Sequence, residues 1–270
     1  RSKHLYFSNT KTRLSLIDSI GNYITMALSD QGANLMAFLW FVIAARGYQT
    51  YAIGASRRKD SLAGVLHAYR QRWMVRMISR EMRMADIGAV ANLERYVTLF
   101  ASSSLLILAG LVTLVGYTDD MVHIGRGIPF LPPQTPLEWQ FKLFFLTLMF
   151  VYAFFKFTWS LRQYGFASVM ISSAPVVYGD ISDNKDLMDH VNRSAKILSM
   201  AANNFNFGLR AYYYSLAVLT WTIHPFVFMA TTCVVVYILY SREFSSSSLA
   251  ELKGSNDSKN RKTLVDYHLI

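Results

Sequence analysis

The chain has 270 residues, of which 53% are hydrophobic and 16% are charged, whereas soluble domains carry roughly 25% charged residues. This composition excludes a disordered chain and a collagen, and the single cysteine, Cys233, excludes a disulfide scaffold. A net charge of +10 suits nucleic acid or an anionic membrane surface. The distribution of the apolar residues favours the membrane, so we expect no nucleic-acid partner.

Both ends of the chain are predicted to be polar tails. Residues 1–30 form a basic extension whose first 17 residues contain four Lys or Arg and no acidic residue. This composition is typical of a basic tail and, more weakly, of an organellar targeting segment. At the other end, 246–270 is predicted to be a polar tail that begins in a serine run.

Four apolar stretches are long enough to cross a bilayer, whose hydrocarbon core of ~30 Å requires about 20 residues of helix. They are 34–53, which carries Arg46, then 97–117, 141–161 and 214–240, which contains His224-Pro225. Tyr and Trp residues flank these stretches, as is typical of the headgroup level. We therefore predict an all-α fold, an integral membrane four-helix bundle over 31–245 with two amphipathic cytoplasmic helical loops.

The Lys and Arg content of the loops predicts the orientation. Loop 54–96 carries nine of these residues, loop 118–140 one and loop 162–213 five. Because basic loops remain in the cytoplasm, we expect loops 54–96 and 162–213 to be cytoplasmic and both chain termini to lie on the opposite side.

Both long loops are predicted to be helical. Residues 61–95 lack proline and place a stripe of arginines, Arg72, Arg76, Arg80 and Arg83, beside an apolar stripe, Leu62, Leu66, Tyr69, Trp73 and Met77. Such a helix can lie on an anionic leaflet, dock beneath the bundle with its arginines towards a partner, or present a solvated basic face. A second helix is predicted over 183–213, capped by Asp183 or Ser182.

The chain shows no catalytic motif. There is no CxxC, HExxH, Walker A loop or GxSxG sequence, and the six histidines lack metal-ligand spacing. We therefore expect no enzyme activity, no metal and no cofactor.

Three polar positions within the predicted spans stand out. Lys156 either extends to the membrane surface or faces the bundle at a functional site. His224 either satisfies the kink that Pro225 creates or relays a proton or holds a ligand. Lys142, at the outer edge of the third span, is predicted to anchor the helix at the interface.

Several cations are predicted to lie at one cytoplasmic depth. They are candidates for holding a lipid headgroup or another phosphate-bearing ligand, although they are equally consistent with ordinary flanking charge. The candidate residues are Arg72, Arg76, Arg80, Lys156, Arg162, Arg210 and His224.

Several blocks of the sequence resemble the bacterial membrane family called domain of unknown function 599. They are Leu66-His-Ala-Tyr-Arg-Gln-Arg-Trp-Met-Val-Arg-Met77, 100–110, Val151-Tyr-Ala-Phe-Phe-Lys-Phe-Thr-Trp-Ser-Leu-Arg-Gln163, Phe205-Asn-Phe-Gly-Leu-Arg-Ala-Tyr-Tyr-Tyr214 and 240–244. The resemblance covers about 33–245. It implies a four-span protein of the bacterial inner membrane, and it implies no activity and no catalytic residues.

Two functional interpretations remain open. The first is a non-catalytic accessory or scaffold subunit of a larger membrane complex, with the bilayer, its anionic headgroups, other membrane subunits or further copies of the chain as partners. The alternative is a small oligomeric transporter or channel for an anionic or lipid-like ligand, with its path lined by Lys156, Arg162, Arg210 and His224. A lipid or quinone enzyme is the least favoured, since the spans hold no paired carboxylates.

Overall fold

The computed structural model describes residues 31–55, 61–129, 132–177 and 184–254, and these contain helices, turns and loops but no strand. The predicted all-α class is confirmed. The helices are α1 (31–55), α2 (Leu62–Ile78), α3 (Met84–Val115), α4 (Thr118–Arg126), α5 (Pro136–Ser173), α6 (Lys185–Thr220), α7 (Pro225–Phe244) and α8 (247–254). The predicted tail 1–30 and residues 255–270 of the predicted tail 246–270 lie outside the described residues.

The two longest helices, α5 and α6, form an antiparallel pair. Ser160 donates to the carbonyl of Ala201 at 2.7 Å midway along the pair, and Lys142 donates to the carbonyl of Trp221 at 3.1 Å near one end. The start of α5 is stabilised by a capping box, which Thr135 at the N-cap forms with Glu138. At 1.5 Å per residue, α5 is ~57 Å long, so it extends well beyond the ~30 Å of a hydrocarbon core.

Two core clusters divide the molecule into two layers. The apolar layer contains α1, α7 and the adjoining ends of α3, α5 and α6, with a core that includes Phe41, Leu111, Leu146, Val218 and Phe228. The basal layer contains α2 and the remaining parts of α3, α5 and α6, with a core that includes Met77, Val90, Phe157, Ile171 and Val191. The outer surface of the apolar layer is itself apolar, as at Leu106, which is 77% exposed.

Three helices are long and apolar enough to cross a membrane, namely α3, α5 and the stretch Pro225–Gly254 that contains α7. They include most of the predicted span 97–117, all of 141–161 and the second half of 214–240. The predicted span 34–53 is helical, and Ala37, Phe41 and Tyr48 of α1 are buried in the apolar layer. α1, which carries Arg46, is not among the three, so the predicted four-helix bundle is not confirmed.

The predicted single span 214–240 is wrong, because it forms a helical hairpin. α6 ends at Thr220 and α7 begins at Pro225. Proline has no N–H and disfavours a helical residue before it, and His224 is accordingly extended, with φ −162° and ψ 141°. The rings of Trp221 and Phe228 stack at 4.9 Å across the turn, so α7 returns along α6.

The hairpin also corrects the predicted position of the C-terminal tail. Glu243, near the end of α7, accepts from the backbone N–H of Ala63 at 3.2 Å. Tyr69 of α2 donates to the carbonyl of Leu252 at 3.2 Å. Residues 244–254 therefore lie beside α2, on the same side as loop 54–96, and not opposite to it as predicted.

The predicted continuous helix 61–95 is broken into α2 and α3 at 79–83. Arg83 causes the corner, because its buried guanidinium donates to the carbonyls of Ile171, Ala174 and Pro175 at the end of α5. These bonds satisfy carbonyls that a helix end leaves without partners.

The basic helix α2 docks against the other helices, which is one part of the second disposition considered for it. Met74, Met77 and Ile78 of α2 are fully buried against the basal layer. Arg80 and Trp73 both donate to Asp86 at 2.6 Å and join α2 to α3.

α6 begins later than predicted and continues without a break through the Asn-rich segment 203–206. Its N-cap is Asn184, which accepts from the N–H of Leu187 at 3.1 Å, whereas Ser182 and Asp183 lie outside the described residues. Lys142 is also placed differently from the prediction, since it is 5% exposed and buried instead of anchoring the helix at the surface.

Candidate anion-binding crevice

A crevice of about 830 Å³ lies between α2 and α6, below the end of α1. Its lining combines apolar residues with amides, a hydroxyl, a histidine and two cations. Its lining is formed by Ala52, Ile53, Ala63, Gly64, His67, Ala68, Gln71, Asn192, Lys196, Ser199, Met200, Asn203, Asn206, Phe207 and Arg210.

Most of the polar lining comes from a single face of α6. Its six polar residues follow one another at alternating steps of four and three, which keeps them on one side of a helix. They are Asn192, Lys196, Ser199, Asn203, Asn206 and Arg210. A separate apolar stripe, which includes Leu187, Val191, Ala195 and Leu198, is buried in the basal core, so the polar face is directed to the crevice.

Arg210 lies at the end of the crevice nearest the apolar layer. Its guanidinium is 5.3 Å from the centroid of the Tyr48 ring and 5.6 Å from that of Phe207. It forms an ion pair with Glu243 at 3.6 Å, and its side chain is 14% exposed. This ion pair is longer than a close charge-assisted hydrogen bond of about 2.7–2.9 Å.

A hydrogen-bonded group fixes the middle of the crevice. The Ser199 hydroxyl donates to the carbonyl of Ala195 at 2.9 Å and accepts from Arg70 at 3.4 Å. His67 Nδ1 lies within hydrogen-bond distance of the same oxygen, at 2.8 Å. Burial lowers the pKa of the Arg70 guanidinium, which nevertheless stays protonated.

Two of the predicted arginines extend the crevice along α2. Arg72 and Arg76 line a recess of about 400 Å³ that shares Gln71 and Asn192 with the crevice. Arg76 is exposed and Arg72 is half-buried. With Lys196 and Arg210, they give the combined cavity four cations.

Lys156 lies just behind the crevice. Its ammonium donates to Asn204 Oδ1 at 3.3 Å and lies 5.4 Å from the centroid of the Phe207 ring. Because Arg210 contacts the same ring, the two cations flank Phe207. Lys156 therefore faces α6, but it does not line the crevice.

The remaining three predicted residues lie elsewhere. Arg80 pairs with Asp86 at the corner between α2 and α3. Arg162 is exposed on α5, with its guanidinium 5.7 Å from the centroid of the Phe166 ring. His224 lies at the far end of the apolar layer, where its Nδ1 accepts from the N–H of Phe226 at 3.2 Å as the N-cap of α7, so it satisfies the helix break.

Of the predicted residues, the combined cavity contains Arg72, Arg76 and Arg210. It also contains residues that the sequence did not single out, namely His67, Gln71, Lys196, Asn203 and Asn206. The polar four-and-three spacing along α6 is the signal that would have identified them. In the parts of the chain that the structure describes, no three His, Cys, Asp or Glu side chains are grouped to hold a metal ion.

A family model described as "Protein of unknown function, DUF599" matches residues 36–248, which is most of the chain. The chain belongs to this family. The match confirms the resemblance found over about 33–245. Comparisons with curated proteins and with solved structures gave no match. Membership of DUF599 brings no activity with it, so the geometry of the crevice is the basis for a proposed function.

Proposed function

We propose that the protein is a non-catalytic integral membrane protein that binds a phosphate-bearing amphiphile in the crevice between α2 and α6. The polar face of α6, opposed by His67 and Gln71 around a cavity of about 830 Å³, is the observation that carries the proposal. Cavities of roughly 300–1,000 Å³ are the usual size for small ligands. Arginine, lysine and amide donors are the groups that recognise phosphate oxygens.

The depth of the crevice supports a ligand that enters from the bilayer. Along α6, Arg210 is 11 residues and Lys196 25 residues from Trp221 at the far end, which corresponds to ~16 Å and ~38 Å of helix. If hydrocarbon begins near Trp221 and is ~30 Å thick, the crevice crosses its other boundary. Ile53 and Phe207 would then contact an acyl chain while Lys196 and Asn203 contact the headgroup.

We further propose that α1, α3, α5, the second half of α6 and α7 all cross the membrane. The basal layer would lie in the cytoplasm, because it carries most of the arginines, and residues 244–254 would lie there with it. The family resemblance favours a bacterial inner membrane.

The proposal is tested by titrating the purified protein, in mild detergent, with dioleoyl phosphatidic acid and counting bound lipid by native mass spectrometry. The variant Lys196→Gln/Arg210→Gln should bind at least about 100-fold more weakly, because each lost charge-assisted hydrogen bond is worth roughly 1.5–3 kcal/mol. Arg162→Gln/Arg193→Gln is the matched control, since both residues are exposed and outside the crevice.

Two further titrations define the ligand. Dioleoylglycerol, which lacks the phosphate, should not bind. Inorganic phosphate should compete with dioleoyl phosphatidic acid only if the protein recognises the headgroup alone. Equal losses in the double variant and its control would mean that binding follows net charge and not the crevice, and would refute the proposal.

One observation, on the outer face of α3, supports the interpretation of the protein as an accessory subunit. Ser102, Leu106, Ala109, Gly110 and Thr113 are exposed there, and no heavy atom lies within 4 Å of a Cβ built on Gly110. Small residues on a membrane helix allow another helix to approach closely. The mass of the detergent-solubilised native particle tests this, because partners at fixed stoichiometry that dissociate in Gly110→Leu would place a subunit on α3.

A further inference from the structure

A second cavity, of about 410 Å³, lies at the opposite end of the apolar layer. It is enclosed by the start of α1, the start of α5 and Trp221 at the α6–α7 turn. Lys142 contributes to its lining although its side chain is only 5% exposed. We call this cavity the Lys142 pocket.

The Lys142 ammonium lacks a close anionic partner. It donates to Gln134 Oε1 at 2.9 Å and to the carbonyl of Trp221 at 3.1 Å, both of which are neutral. An ammonium has three protons to donate. Within the described residues, no carboxylate lies within the 4 Å of an ion pair with Lys142, and Glu138 of the same pocket accepts instead from the N–H of Thr135 at 2.8 Å.

The pocket is open towards the outer surface of the molecule, where Leu35 is 61% exposed. Its apolar lining consists of Leu35, Phe38, Leu137, Phe141 and the stacked ring of Trp221, and its polar lining consists of Gln31, Asn34, Thr135, Glu138 and Lys142. A buried charge is costly unless it is paired. A ligand that brings both a negative charge and an apolar body would therefore complete the site.

We propose that the Lys142 pocket binds a carboxylic acid with an apolar body, whose carboxylate accepts the third proton of the Lys142 ammonium. A monoanion with few acceptors suits a site with one cationic donor, whereas a phosphate headgroup is better matched to the several donors of the crevice. This second site is independent of the crevice and lies at the other membrane boundary.

Binding is measured by scintillation proximity with radiolabelled laurate on the detergent-purified full chain. Wild type should show saturable binding, and Lys142→Met should weaken it at least about tenfold, as expected for the loss of a charge-assisted hydrogen bond. Lys156→Met is the matched control because it removes a partly buried lysine from the same helix outside this pocket, and it should bind as wild type does.

A second variant keeps the test decisive if Lys142→Met folds poorly. Leu35→Trp changes an exposed residue and fills the pocket while leaving Lys142 in place, so it should also abolish binding. Unlabelled laurate should displace the label and methyl laurate should not, and phenylacetate shows whether an aryl body is accepted in place of an alkyl chain. Absence of saturable binding, unchanged binding in Leu35→Trp, or equal displacement by methyl laurate would overturn the proposal.

Discussion

Gly208 allows α5 and α6 to approach each other, and adding one methyl group there should destabilise the protein. A Cβ built on Gly208 would lie 2.4 Å from Phe157 Cε1 and 2.7 Å from two further ring atoms. Carbon atoms in contact are normally about 3.5–4.0 Å apart. The Phe157 ring is fully buried and packs against Phe100, Phe205 and Tyr212, so it has little room to move.

Two opposing terms determine the size of the effect. Gly→Ala inside a helix normally stabilises by about 1 kcal/mol, whereas overpacking a core typically costs about 1–3 kcal/mol. Because the overlap at Gly208 exceeds 1 Å, we expect the upper end of that range, a net loss of about 2 kcal/mol. In a chain of this size, that corresponds to a fall in Tm of roughly 4–8 °C.

Thermal unfolding of Gly208→Ala in detergent, followed by intrinsic fluorescence, measures this loss. Gly165→Ala is the control, since no atom lies within 4 Å of its Cβ position, and its Tm should be unchanged or higher. Adding Phe157→Leu to Gly208→Ala should recover part of the loss, which would appear as favourable coupling between the two sites. If Gly208→Ala is as stable as Gly165→Ala, the inferred close approach of α5 and α6 is wrong.

Two other predictions concern topology and the corner between α2 and α3. In sealed vesicles and a cysteine-free background, a membrane-impermeant maleimide should label Ser79→Cys and Ser248→Cys from the same side and Thr222→Cys from the other. Labelling of Ser248→Cys from the side opposite to Ser79→Cys would restore a single span over 214–240. Arg83→Met removes the guanidinium that donates to three carbonyls at the end of α5, and it should lower the free energy of unfolding by about 3 kcal/mol. The control Arg76→Met, at an exposed position, should change the free energy of unfolding by less than about 0.5 kcal/mol. Equal effects of the two arginine variants in denaturant titrations would contradict the capping role of Arg83.

The hairpin shows where hydropathy alone fails. The residues between α6 and α7 are Trp221, Thr222, Ile223 and His224, which are too few and too apolar to interrupt an apolar window. A proline within a membrane span often produces only a kink. The packing of Phe228 on Trp221 and the contact of Glu243 with Ala63 distinguish a reversal from a kink, and these contacts are not visible in local sequence.

The crevice is likewise a feature that the sequence predicts only in part. Arg72, Arg76 and Arg210 could be proposed because basic residues beside membrane spans are conspicuous. Lys196 and His67 are 129 residues apart in the chain, and each looks like an ordinary polar position on its own helix. Their relation depends on how α2 docks against α6, which in turn depends on the corner that Arg83 fixes.

The central claim, a headgroup site between α2 and α6, is tested most directly by photolabelling in lipid nanodiscs. A phosphatidic acid analogue with a photoreactive group beside its phosphate would be irradiated with the full-length protein, and the labelled peptides identified by mass spectrometry. We expect label in 63–71 and 196–210, and its loss from both in Lys196→Gln/Arg210→Gln. Label spread over the outer faces of α3 and α7, unchanged in that variant, would show that the crevice does not hold the headgroup.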